Sequence, residues 1–245
     1  MILQKLTEFY ENKAEQKKIA PYGWERKAIP FLIRLNEDGS FSDLFDTRDN
    51  ASDKGRVYTI PKTIERPGTN AWQTTFLLWD HIGYALGLVT ENEKEETVKK
   101  QHNSFKKKLK DLPDEIKQDK GVQAVIRFLE NGDFSGITQS EYWEELYKKK
   151  PNITFQLSSD PESIIAQNSA IREYVDNATE SSEQNGEKGK CLVTGKVTTI
   201  ARTHPKIKGV YGAQPSGAAI VSFNDSAYTS YNKKRNFNAP VGNYA

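Results

Sequence analysis

Residues 200–221, Ile-Ala-Arg-Thr-His-Pro-Lys-Ile-Lys-Gly-Val-Tyr-Gly-Ala-Gln-Pro-Ser-Gly-Ala-Ala-Ile-Val, gather groups suited to holding an anion. Gly209, Gly212 and Gly217 permit positive φ and close backbone approach, Arg202, Lys206 and Lys208 supply charge, and Gln214 and Ser216 supply small hydrogen-bonding groups. Gly212 and Gly217 have the glycine spacing of a P-loop, but that motif continues with Lys and Ser or Thr, and Ala218 and Ala219 stand there instead. The dinucleotide fingerprint fails as well, because Gly209 and Gly212 are spaced wrongly for it. On residues alone the stretch reads either as a phosphate-facing loop or as a Gly-rich hairpin connection without a ligand.

Two further stretches carry similar chemistry. Residues 62–75 place Lys62 and Arg66 near Asn70, Trp72, Gln73 and Thr75, and amides of this kind pair with adenine in a major groove or with minor-groove acceptors. The plainer reading is a solvated loop with Trp72 as a packed lid. Near the end, Tyr228, Tyr231, Lys233, Lys234, Arg235 and Phe237 interleave rings with cations, which suits stacking on bases and neutralising phosphates. From residue 201 onward there are six Lys or Arg and one Asp, so this part is locally basic although Lys+Arg 35 against Asp+Glu 33 leaves only +2 overall.

Catalytic chemistry finds less support. His204 lies beside Lys206 with no carboxylate pair, so a metal-dependent nuclease remains only an alternative reading. The single Cys191 and three His residues give no expected disulfide, metal site or cofactor. Cys191 reads as a small hydrophobe opening a strand. No apolar run reaches the ~18 residues needed to cross a bilayer, no signal-peptide core opens the chain, and the cytoplasm is the expected compartment.

The elements that must position these groups point to an α+β fold: an antiparallel or mixed sheet with hairpins, flanking helices and a charged helical insert. Ile2, Leu6, Phe9 and Tyr10 recur at helical spacing and predict a core helix to about residue 18. Runs at 29–35 and 40–47, joined by Asn36-Glu37-Asp38-Gly39, predict a hairpin, and 57–60 a third strand. Residues 76–87 resume a helical pattern. From 91 to 150 the pattern is helical and charged, with His102 on an apolar face and a basic run including Lys106, Lys107, Lys108 and Lys110. Thr138-Gln139-Ser140-Glu141 matches a capping box. Residues 152–157 alternate as a strand, Asp160-Pro161 predicts a helix start, 178–190 a linker, 191–198 a hairpin and 220–223 a strand. One sheet domain is expected from 1–90 and 151–245, with 91–150 inserted.

Cys191-Leu192-Val193-Thr194-Gly195, the run from Ile200 to Ala218 with Ala201-Arg202, His204-Pro205-Lys206-Ile207-Lys208-Gly209 and Gly212-Ala213-Gln214, then Val221-Ser222-Phe223-Asn224 and Asn238-Ala239-Pro240-Val241, resemble the large subunit of the type I-C CRISPR Cascade, a Csd-type CRISPR-associated protein. Met1-Ile2-Leu3-Gln4 and Leu78-Trp79-Asp80 resemble the start of the same family. Family members are longer and finish in an α-helical bundle, so the likeness is to their amino-terminal portion, with the carboxy-terminal bundle expected to be missing here.

The resemblance implies a non-catalytic subunit of an RNA-guided surveillance complex that recognises the protospacer-adjacent motif in double-stranded DNA and promotes target unwinding in antiviral defence. Implied partners are target DNA, guide RNA and other Cascade subunits, and a helicase-nuclease effector. It also makes the chain a candidate target of anti-CRISPR proteins, and a protein-only scaffold is the other alternative. Family proteins keep a polar residue just before the Leu78-Trp79-Asp80 run, and in this lengthened loop Asn70 and Thr75 are the candidates for that place. Motif reading is then expected from Asn70, Thr75, Gln214 and Ser216 on two loops carried by one sheet. Phosphate contacts are expected from Lys62, Arg66, Lys206, Lys208, Lys233, Lys234 and Arg235, and close backbone approach at Gly209, Gly212 and Gly217.

Overall fold

A strand that is apolar on both faces needs cover on both sides. Phe31, Leu32, Ile33 and Leu35 are all buried, and their strand accordingly lies inside a sheet with neighbours on each edge. The computed structural model describes residues 2–16, 18–49, 53–63, 66, 68–184, 186–204, 206, 207, 209–214, 217–219, 221–223 and 226–242. In chain order the elements are α1 (Ile2–Glu15), β1 (Trp24–Ile29), β2 (Phe31–Leu35), β3 (Phe41–Asp46), β4 (Arg56–Pro61), β5 (Trp79–His81) and α2 (Ile82–Ala85). There follow α3 (Glu95–Lys110), α4 (Asp114–Lys117), α5 (Lys120–Asn131), α6 (Ser135–Thr138), α7 (Trp143–Lys149), β6 (Asn152–Leu157), α8 (Ser169–Gln184), β7 (Lys188–Lys190) and β8 (Val197–Thr199). Among the described residues no helix is long and apolar enough to cross a membrane.

The chain divides into two compact units, Gly23–Asp176 and the combination of Met1–Tyr22 with Asn177–Ala245. In the first, a sheet runs in the order β3-β2-β6-β5, with β2 and β6 parallel and the outer pairs antiparallel. A separate ribbon pairs β1 with β4. The α+β class expected from the sequence holds. The segment 91–150 is not set apart from the sheet, because its apolar stripes need the sheet as their cover. Helix α5 packs on β2 and β6. Phe105 of α3 and Phe128 of α5 each place their rings 6.5 Å from that of Phe155 in β6.

Several local expectations give way to tertiary structure. Residues 57–60 pair with β1, where Glu25-Arg26-Lys27 masks the strand signal between buried Trp24 and Ile29. Residues 76–87 hold β5 and the single turn of α2 instead of one helix, since Leu78 takes φ 61 and breaks the helical path. Thr138 closes α6 instead of capping a helix, and α7 starts at Trp143 without a side-chain cap. The helix expected from Asp160-Pro161 begins later: the Asp160 carboxylate takes the Ser163 hydroxyl, a 3₁₀ turn spans Ile165–Gln167, and the Asn168 side chain accepts from the Ile171 amide (2.8 Å) to start α8. That helix and β7 occupy much of the expected linker.

In the other unit, α1 forms, but Leu3, Leu6 and Phe9 stay 41, 56 and 58 % exposed instead of entering a core. Strands β7 and β8 flank the expected turn, and no strand occupies the described residues 221–223. Cys191 does more than fill space. Its sulfur accepts from the amides of Val193 (3.4 Å), Thr194 (3.5 Å) and Gly242 (3.3 Å). Burial pushes the thiol up, yet these bonds and one from the Thr194 side chain outweigh it and hold the group below the ordinary value.

The β2–β3 turn supplies a test of the packing. Gly39 has φ +87, and a Cβ there would lie 2.5 Å from Arg127 Cβ and 3.0 Å from the Ala124 carbonyl of α5. Gly132 has φ +70 and open space around it. Gly39→Ala is therefore expected to cost about 2–4 kcal/mol, strain plus overpacking, and Gly132→Ala only the ~1–2 kcal/mol of the left-handed conformation. Urea midpoints of the two variants check this, and equal losses would refute the close packing of the turn on α5.

Candidate nucleic-acid interface

Residues 68–73 form a 3₁₀ turn, Gly-Thr-Asn-Ala-Trp-Gln, interrupted at Asn70 (φ −95, ψ 15). A short turn of this composition has little intrinsic stability. Its anchors come from elsewhere in the Gly23–Asp176 unit. The Tyr84 hydroxyl donates to the Ala71 carbonyl (3.0 Å), Arg66 Nε to the Thr74 carbonyl (2.8 Å) and Lys108 Nζ to the Thr75 carbonyl (2.7 Å). Three long side chains thereby hold three carbonyls of a segment five residues long.

Arg66 is itself tightly fixed. Its guanidinium pairs with the fully buried Asp80 and lies 3.8 Å from the Phe76 ring centroid and 3.9 Å from that of Tyr84. Asp80 also accepts from the amides of Phe76 (3.3 Å) and His81 (2.9 Å). Burial pushes the Asp80 carboxyl above the ordinary range, and Arg66 is the main opposing influence. Burial likewise pushes the Lys108 ammonium and the His102 imidazole down. His102, placed on an apolar face by its spacing, meets the Tyr84 carbonyl through Nδ1 at 3.0 Å.

Beside the turn is a cleft of about 650 Å³ lined by Trp72, Gln73, Thr75, Ser104, Lys107 and Lys108, with Asp111 and Tyr174 completing it. Ser104, Lys107 and Lys108 share one face of α3, and Asp111, its C-cap, continues that face at helical spacing. The exposed Lys107 has no carboxylate partner among the described residues. Asn70 and Gln73 are exposed on the turn. The arrangement offers amides on a preformed turn next to positive charge, and the amides can reach base edges while cations meet phosphate.

The expected site residues fare differently. Thr75 is buried, 4 % exposed, and presents its carbonyl to Lys108. Arg66, expected at a phosphate, is engaged with Asp80 and holds the turn instead. Lys62 lies exposed just past β4. The second loop belongs to the other unit, so the sheet carrying β5 does not carry both loops. There Ile207 and Ala218 pair through two backbone bonds of 2.8 Å and close a loop with Lys206 and Gln214 exposed. Gly209 (φ 76), Gly212 (φ 77) and Gly217 (φ 103) all take positive φ, and open space surrounds the first two. Lys208 and Ser216 lie outside the described residues. Lys233, Lys234 and Arg235 are exposed and line a different cleft in that unit. Gln73 and Lys107 stand in the amide-bearing loop and the basic run read from the sequence but not among the expected contacts, although the i, i+3, i+4, i+7 spacing of 104, 107, 108 and 111 marks the face on which Lys107 sits.

The family model described as CRISPR-associated protein (Cas_Csd1) matches residues 6–245. The chain belongs to this family. A comparison with curated proteins gave no match. As a Csd-type CRISPR-associated protein it is a Cascade subunit, assembled with other CRISPR-associated subunits.

For this Csd-type chain the Arg66–Asp80 pair is testable on its own. Removing one partner of a buried pair strands the other, so Arg66→Ala is expected to cost about 3–5 kcal/mol near neutral pH. With Arg66 gone, the folded pKa of Asp80 lies still further above its unfolded value. Its contribution is then fully present below the unfolded value and lost as pH rises through the folded one. Denaturation of the variant should accordingly show a smaller deficit at about pH 4 than at about pH 7. A deficit independent of pH would show that Asp80 is not the stranded charge. Arg66→Met with Asp80→Leu should recover most of the loss.

Proposed function

We propose that this chain is the non-enzymatic large subunit of a type I-C Cascade, reading the protospacer-adjacent motif in duplex DNA and helping to open the strands beside it. In RNA-guided recognition base pairing reads the target sequence, and protein reads only a short adjoining motif. What supports the reading is the turn at residues 68–73: Asn70 and Gln73 face solvent on a backbone already held by Arg66, Tyr84 and Lys108. A turn that is ordered before binding loses little entropy when it meets a groove. Lys107 supplies charge for a phosphate alongside. The cytoplasm, the guide RNA and a helicase-nuclease effector are the setting and partners this role requires.

Affinities of the assembled complex for matched and scrambled motifs test the proposal. Asn70→Ala or Gln73→Ala is expected to cost about 1–3 kcal/mol on the matched motif and much less on the scrambled one. Lys107→Gln is expected to weaken both about equally and to shallow the salt dependence by roughly one phosphate contact. Parallel losses for the amide variants would make the turn a backbone clamp, and no loss would remove it from the interface. Duplex held with divalent ions and the complex, without its effector, is expected to remain intact; metal-dependent cleavage abolished by His204→Ala would overturn the non-enzymatic assignment.

A further inference from the structure

The unit made of Met1–Tyr22 and Asn177–Ala245 contains a cleft of about 790 Å³, within the size range of small-ligand sites at ~300–1,000 Å³. Five cations line it, Lys190, Arg202, Lys233, Lys234 and Arg235, against a single carboxylate, Glu187. None of the five forms an ion pair among the described residues, whereas Lys99, Lys100, Lys148 and Lys149 elsewhere each meet a glutamate one turn away.

The convergence is built by the fold. Asn236, 2 % exposed, donates to the Ala201 carbonyl (2.9 Å) and so ties the 233–238 segment beside Arg202. Asn238 donates to the carbonyls of Lys233 and Arg235, both at 3.0 Å, and fixes the spacing of the consecutive cations. Lys190 ends β7, and the next residue but one, Leu192, is held to Pro240 by a backbone bond of 2.8 Å. Of the six non-glycine residues with positive φ among those described, three fall in this turn, Tyr231, Asn232 and Arg235. Such strain concentrates where a binding geometry has to be held. Like charges gathered on a strained turn in excess over one carboxylate are a cost to folding that an anionic ligand relieves.

Charge is only half of the cleft. Leu192, 58 % exposed, joins Phe237 and Pro240 as the apolar floor of the same cleft, and Tyr231 stands 95 % exposed on the turn that carries Asn232 and Lys233. In duplex DNA the faces of the bases are stacked on one another, so only phosphate would be offered and the floor would stay uncovered. An unpaired strand offers both groups: phosphates for the rim and a free base face for the floor. We propose that this cleft binds single-stranded nucleic acid, its phosphates on Lys190, Arg202 and the Lys233–Lys234–Arg235 run, and a base against Leu192 and Phe237. The proposal names a ligand for a second surface and does not depend on motif reading by residues 68–73.

The test uses the whole chain and fluorescence anisotropy with four probes: a labelled single-stranded oligonucleotide, the same sequence as duplex, an abasic strand of equal length, and polyglutamate. The base-bearing single strand is expected to bind on the order of tenfold tighter than the duplex or the abasic strand. Lys190→Gln with Arg202→Gln is expected to reduce the slope of log affinity against log salt by about 0.7 for each cation removed. Leu192→Ser, at an exposed position, is expected to lower single-strand affinity severalfold while leaving that slope as it was. Should the double variant melt differently from the wild type, Lys233→Gln with Lys234→Gln is measured for the same change in slope. Equal affinity for single strand and duplex, equal affinity for the abasic strand, or tighter binding of polyglutamate would overturn the proposal, the last assigning the cleft to an acidic protein segment. The ratio of matched to scrambled motif affinity in the Lys190/Arg202 variant separates the two readings, because it is expected to match the wild type whatever happens to single-strand binding.

Discussion

A carboxylate with no exposure has to be compensated, and in this chain Asp80 is compensated by Arg66. Dehydrating the two ions costs several kcal/mol each, which their attraction returns only in good geometry. Here two backbone amides take up further lone pairs of Asp80, and the Phe76 and Tyr84 rings lie on either side of the guanidinium. The consequence is positional. Arg66 has one place to be, its Nε reaches the Thr74 carbonyl from there, and Tyr84 in turn holds Ala71. The 3₁₀ turn with Asn70 and Gln73 depends on this arrangement, since a turn of six residues has little of its own to keep it ordered.

Charge is arranged with the same economy. The first turn of α3 carries Glu95 and Glu96, which pair with Lys99 and Lys100, and its last turn carries Lys107, Lys108 and Lys110. Both ends suit the helix dipole, so the basic end needs no counter-ions for the sake of the helix. Lys108 is drawn into the Thr75 carbonyl and Lys107 is left at the cleft. The other unit repeats the theme with its five cations around an apolar floor. A formal charge of +2 over the whole chain therefore conceals two local basic surfaces, because acidic residues on other faces cancel them in the sum.

What could be read in the sequence was what short-range physics decides. The Asp38-Gly39 turn forms because Gly39 takes φ +87 and the Asp38 side chain accepts from Ser40, both local effects. Helices α3 and α5 follow from apolar stripes at helical spacing, β6 from alternation, and the family from the Cys191 to Ala218 motifs. Tertiary structure decided the pairings across distance. Nothing local tells that Arg66 will meet Asp80, because their fourteen-residue separation is bridged only when the Phe76–Asp80 segment turns at Leu78, a buried residue of positive φ whose carbonyl accepts from the Thr154 hydroxyl. Nor does composition show that 57–60 pairs with the charged strand β1, or that the aromatic residues of 91–150 share a core with β6. Residue types and spacings declare which groups can do chemistry. Which of them are engaged, as Arg66 is, and which have no carboxylate partner among the described residues, as with Lys107, depends on what the remainder of the chain brings within hydrogen-bonding distance.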